Sequence, residues 1–111
     1  MNISAINDQA FQGKEKQYGA KIIGELGDAT NKLYKRTSME VDSLAKYYKR
    51  DVKLQENNGV LFANSGPITT VSKVSDLENS ADKFFEFISN NFVANKIAKE
   101  QSLKNGLNFL A

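Results

Sequence analysis

The tripeptide Tyr-Lys-Arg occurs twice, at Tyr34-Lys35-Arg36 and Tyr48-Lys49-Arg50, in a stretch free of Pro and Gly. Lys and Arg donate to phosphate or carboxylate oxygens, while on a helix Tyr34 and Tyr48 fall in the apolar stripe expected to face the core and Tyr47, at the margin of the basic face, offers a ring for stacking. A repeated basic aromatic triplet is therefore a candidate anion-binding element. The copies lie two heptads apart, which on one α-helix leaves them only about 40° from each other around the axis. On a helix over residues 28–54, Lys32, Lys35, Arg36, Lys46, Lys49, Arg50 and Lys53 fall between about 60° and 200° from Tyr34, forming one basic stripe. Over the roughly 40 Å of such a helix the stripe would track a row of phosphates. Its commoner use is a solvated face, and Asp42 to Lys46 fits ordinary i,i+4 pairing, with Asp28 as a second acidic interruption.

A second candidate is apolar. Phe84, Phe85, Phe87, Ile88 and Phe92 spread over a face about 160° wide on a helix expected from 75 to 92. That is wider than one neighbouring helix covers, so part of it is a candidate surface for a second copy or another protein. The same helix carries Asp76, Glu78, Asp82 and Glu86 against Lys83 alone, which argues against an anionic membrane as the partner.

Much chemistry is excluded. The chain has no Cys and no His, which removes disulfides, the usual zinc sites, imidazole bases, and serine or cysteine triads. It also has no phosphate-binding loop, dinucleotide fingerprint or nucleophile elbow, and no carboxylate pair with metal-ligand spacing. The expectation is a non-enzyme with no catalytic residue, cofactor or metal.

With 111 residues, 41% of them hydrophobic and 25% charged, one folded domain is expected. A net charge of +2 is a mild bias beside the strongly basic domains that coat nucleic acid. Residues 1–8 lack a basic region followed by an apolar run, and no later run is long enough to span a bilayer. A soluble cytoplasmic protein is expected, although export without a leader would leave the same trace.

The pattern places a flexible tail at 1–13, with Phe11 as a possible docking anchor, and a single helical domain over 14–111. Its helices are expected at about 14–26, 28–54, 75–92 and 93–105. Asn57-Asn58-Gly59 reads as a helix C-cap. In the connector over 55–74, Val60 to Ala63 and Ile68 to Val74 read as two strands around the turn residues Asn64 to Pro67; the competing reading has Pro67 open a helix, since Val71, Val74 and Leu77 keep helical spacing. Ser75-Asp76-Leu77-Glu78 reads as a capping box that opens the next helix. The expected fold class is mainly α, a small helical bundle or long helical hairpin, becoming α+β if the short hairpin forms. The leading functional expectation is a protein–protein interaction or assembly subunit acting through its apolar helical face. The alternative is weak, mostly non-specific binding of nucleic acid or another polyanion along the basic stripe.

Overall fold

The structure is a computed structural model that describes the backbone of residues 17–110 and the side chains of residues 17–103. The expected tail at 1–13, Phe11 and the side chains of the apolar C-terminus lie outside the described residues.

The helical bundle is not what forms. The chain folds as an α+β domain with a four-stranded sheet and two α-helices. Strand β1 (Ala20–Ile23) leads into helix α1 (Asp28–Tyr48), followed by β2 (Val52–Asn57), β3 (Val60–Asn64), β4 (Thr69–Lys73), a short 3-10 turn (Val74–Leu77) and helix α2 (Ala81–Leu110). The strands lie in sequence order across the sheet. β1 runs parallel to β2 through the α1 crossover, and β2, β3 and β4 form an antiparallel meander.

Each departure from the expected elements has a local cause. Residues 14–26 offered Tyr18, Ile22, Ile23 and Leu26 at helical spacing, but over four residues a period of 2 fits as well as 3.6. The strand wins by pairing: Ile22 lies beside Leu54 in register, and Ala20 beside Val52. Helix α1 ends at Tyr48 rather than 54, because Lys49 adopts the left-handed conformation (φ 55°, ψ 48°). Its N–H donates to the Lys46 carbonyl and that of Arg50 to the Ala45 carbonyl, the paired arrangement of a Schellman cap. Neither Gly nor Asn marks this stop, so the helical period ran on into β2. Asn58 (φ 49°) and Gly59 (φ 77°) do take positive φ, but as the central pair of the β2–β3 hairpin turn instead of a helix cap. The β3–β4 hairpin expected over Val60 to Val74 is present.

The Ser75 capping box forms only the 3-10 turn. Helix α2 starts later, at Ala81, with the Ser80 hydroxyl accepting the Lys83 N–H at 3.3 Å. The two expected C-terminal helices are one, with no break at Asn90-Asn91.

The core lies between the helices and one face of the sheet. Leu33, Val41 and Ala45 of α1 meet Phe84, Ile88 and Phe92 of α2, above Val52 and Leu54 of β2 and Leu61 and Ala63 of β3. All of these are buried, and together they supply the hydrophobic driving force that holds two layers as one domain. Val52 to Asn57 and Val60 to Asn64 alternate inward and outward along each strand. The outward set faces away from both helices.

Candidate functional site

The end of α1 and the end of the sheet converge on a cleft of about 910 Å³ lined by Tyr47 to Asp51, Ser65 to Pro67, Lys96 and Lys99. Four cations border it: Lys49 and Arg50 from the helix cap, and Lys96 and Lys99 from α2. Asp51 is the one carboxylate in the lining, and one of its oxygens already accepts the Gly19 N–H at 3.0 Å. Among the described residues the one salt bridge is Lys83 to Glu78 at 2.6 Å, so none of the four cleft cations has an ion-pair partner there.

The walls are built from specific side chains. Tyr48 stacks on Phe92 with ring centroids 5.3 Å apart and planes 8° from parallel, and Tyr47 meets Tyr48 edge-on at 5.0 Å. The stack ties the end of α1 to the core of α2, a geometry worth about 0.5–1.5 kcal/mol beyond area burial. The opposite wall, the β3–β4 loop, is held by two buried amides one helical turn apart on α2. Asn91 donates to the Ala63 carbonyl at 2.8 Å and to Thr70 Oγ1 at 3.0 Å. Asn95 donates to the Ile68 carbonyl at 2.9 Å while its oxygen accepts the Ile68 N–H at 2.6 Å. The Asn95 bonds satisfy both backbone groups of Ile68 in the loop, and the Asn91 bonds tie α2 to β3 and β4 beside it.

Between the walls, Arg50 donates to the Ser65 carbonyl at 3.1 Å. A Cβ at Gly66 would strike that guanidinium and sit 3.1 Å from the Asn95 oxygen, so glycine keeps the space that Arg50 occupies. The Ser65 hydroxyl, also on this wall, is buried without a hydrogen-bond partner among the described residues. Lys49 carries a positive φ that a residue with a Cβ adopts only at a cost. The strain lies at the mouth of the cleft.

The basic stripe expected on one helix is divided by the early end of α1. Lys32, Lys35, Arg36 and Lys46 stay exposed along α1, with Lys32 and Arg36 beside Asn79 in a separate shallow groove. Lys49 and Arg50 turn into the cleft. Lys53 moves to the outward face of β2. The two triplets differ in their cations and not in their tyrosines: Tyr34, like Tyr48, packs against the core, and burial, helped by the charge of Asp42, raises its phenol above the ordinary value.

The apolar candidates also divide. Phe84, Ile88 and Phe92 are 0% exposed and form the centre of the core, and Phe85 and Phe87 are half-buried beside it. Exposed apolar groups on α2 lie elsewhere, at Val93 (39%), Ile97 (47%) and Leu103. Sequence reasoning did not single out Ser65, Asn91, Asn95, Lys96 or Lys99. Asn91 and Asn95 did leave a signal, two amides at i,i+4 on the same side as Phe84 and Ile88, where a core helix should be apolar.

Among the described residues there is no group of three or more potential metal ligands and no helix long and apolar enough to cross a membrane. What the cleft offers chemically is charge, hydrogen-bond donors and the exposed ring of Tyr47. Comparison with known proteins adds no assignment, since no protein-family model, no curated protein and no solved structure matches this chain, and the cleft itself is the ground for a functional reading.

Proposed function

We propose that this protein is a non-enzymatic binding subunit that holds a polyanion in the cleft between α1, α2 and the β3–β4 loop. The observation that carries the reading is the convergence of Lys49, Arg50, Lys96 and Lys99, from separate chain segments, on one concavity without described ion-pair partners. Like charges gathered this way repel, and an anionic ligand relieves that repulsion while releasing its own counterions. Arg50, fixed by the Ser65 carbonyl, supplies a preorganised planar donor. A cytoplasmic setting, where nucleic acids and other polyanions are abundant, goes with this reading. The test is binding of heparin to the full chain over a series of salt concentrations. Affinity should fall steeply with salt and be lost in a Lys96→Glu/Lys99→Glu variant; salt-independent binding, or none at low salt, would reject the proposal.

A protein partner is the second reading, favoured by one observation. Val93 and Ile97 are exposed on the side of α2 away from Phe84, Ile88 and Phe92, so the helix is apolar on a side that the described domain leaves uncovered. Self-association seen by light scattering and abolished by Ile97→Glu would support it. A monomer at high concentration would leave only a different protein as the partner.

A further inference from the structure

The outward face of the sheet carries a second set of features that the cleft does not use. Its register brings Lys21 of β1 directly beside Lys53 of β2. Neighbouring strands are about 4.8 Å apart, and like charges placed opposite one another destabilise a sheet. No outward strand position carries Asp or Glu to offset the pair. One row further along, Gln55 of β2 pairs with Phe62 of β3 and Phe62 with Val71 of β4. Phe62 is half-buried but stands apart from the hydrophobic core, on the side away from both helices. It forms part of a hollow of about 200 Å³ whose rim is made by Ile23, Lys53, Gln55, Asn64 and Thr69.

The hollow therefore combines an aromatic face, the Gln55 side-chain amide, which has no hydrogen-bond partner among the described residues, and a cation. The Asn64 amide nitrogen is already spent on the β3–β4 loop, donating to the Gly66 carbonyl and to Thr69 Oγ1, each at 2.9 Å. Gln55 offers both a donor and an acceptor to the polar edge of a flat ring lying on Phe62. Lys53, on the rim of this hollow, is three residues along the chain from Arg50 at the cleft wall.

The geometry points to single-stranded nucleic acid as the polyanion, with one base stacked on Phe62 in the sheet-face hollow and the phosphate backbone running over Lys21 and Lys53 toward the cleft. The class follows from the chemistry. A base reaches an aromatic side chain in such a hollow only when it is unpaired, and stacking of this kind tolerates any base. A polyanion without bases would use the cations and leave Phe62 idle. The inference rests on the polyanion reading of the cleft for its second contact, and the two are separable by experiment.

The test is fluorescence anisotropy of the full chain with labelled single-stranded DNA and RNA of about 12 nucleotides, matched duplex, and heparin as a competitor. Single strands should bind more tightly than duplex. Phe62→Ala should weaken single-strand binding about ten-fold while leaving heparin binding unchanged, and Phe62→Tyr should retain it. Phe62→Leu keeps apolar volume and removes the ring, so it should behave like Phe62→Ala while the circular dichroism stays that of the native chain. Equal binding of duplex and single strand, or single-strand binding unchanged in a folded Phe62→Leu variant, would overturn the inference even where heparin still binds. Failure of heparin and oligonucleotide alike at low salt would reject the polyanion reading with it.

Discussion

The two Tyr-Lys-Arg triplets are identical in sequence and alike in resting their tyrosine on the core, but they place their cations differently. In the first, Tyr34 packs on the core while Lys35 and Arg36 stay exposed in the middle of α1. In the second, Tyr48 stacks on Phe92, Lys49 takes a left-handed cap conformation, and Arg50 turns back to the Ser65 carbonyl. What separates them is position relative to a helix end. A side chain inside a helix keeps the direction set by its place in the period, whereas one residue past the cap is aimed by the next segment. The same tripeptide therefore gives a solvated face in one place and a cleft wall in the other.

The largest expected effect tests what anchors the second triplet. Phe92→Ala removes a fully buried ring and the surface on which Tyr48 stacks, and should cost about 3–5 kcal/mol in urea unfolding. Arg36→Ala, in the first triplet, should change stability by less than about 0.5 kcal/mol. A small loss at Phe92 would show that the stack does not hold the end of α1.

Next in size is the loop that faces the second triplet. Asn95→Ala strips the Ile68 N–H of its partner and the Ile68 carbonyl of its shortest bond, leaving that carbonyl the longer contacts to Asn64 and Asn91 at 3.4 Å. The loss should be about 0.5–1.5 kcal/mol, because Ile68 is partly exposed and water replaces what is lost. Hydrogen exchange should quicken at the Ile68 amide in that variant and stay slow at Leu54. Unchanged exchange at Ile68 would mean that the loop keeps its position by other means.

A pair of glycine substitutions gives effects of opposite sign in the two triplets. Lys35→Gly, mid-helix, should destabilise by about 1 kcal/mol. Lys49→Gly should stabilise by about 0.5–1 kcal/mol, since glycine carries no penalty at positive φ. Denaturant midpoints moving the same way in both variants would contradict the cap geometry at Lys49.

The smallest effect concerns pH. Burial, and secondarily Asp42, raises the Tyr34 pKa in the folded chain above its ordinary value of 10.0. A group with a raised folded pKa stabilises fully below its unfolded pKa, and that contribution is lost as pH rises through the folded value. Tyr34→Phe should therefore unfold less readily than the parent above about pH 10, relative to their difference near neutrality. An equal alkaline loss in both chains would assign that loss to other groups.

The triplets also mark how far the sequence could be read. The 3.6 period over residues 28–48 and the Phe84, Ile88, Phe92 face are strong signals, and both helices formed around them. The β3–β4 hairpin was legible from its β-branched runs and the turn at Asn64 to Pro67. β1 and β2 were hidden for different physical reasons. Four residues in β1 are too few to separate one period from another, and their identity as a strand depends on pairing with a segment about thirty residues away. β2 follows a helix that ends on a lysine, where the local code offers no stop signal. The Asn-Gly pair that carries a strong hairpin signal was then absorbed into the helix as its cap. Lys49 and Arg50 of the cleft were visible as cations, but Lys96 and Lys99, on the other side of the chain's topology, come beside them only once α2 packs against α1. The two acted-on faces, basic and apolar, were recognised as features; which of their residues point outward is a property of the assembled layers.

The most direct test of the cleft as the binding site compares two sets of four neutral substitutions in one measurement, the salt dependence of oligonucleotide binding. One set replaces Lys49, Arg50, Lys96 and Lys99 by Gln, and the other replaces Lys32, Lys35, Arg36 and Lys46 by Gln. The formal charge lost is the same in both. If the cleft holds the polyanion, the first set should lower the slope of log K against log salt by about 3, since each phosphate contact on a single strand contributes about 0.7. The second set should leave the slope nearly unchanged. Equal losses in the two sets, or a larger loss from the α1 set, would contradict the cleft and return the function to the exposed face of the helix.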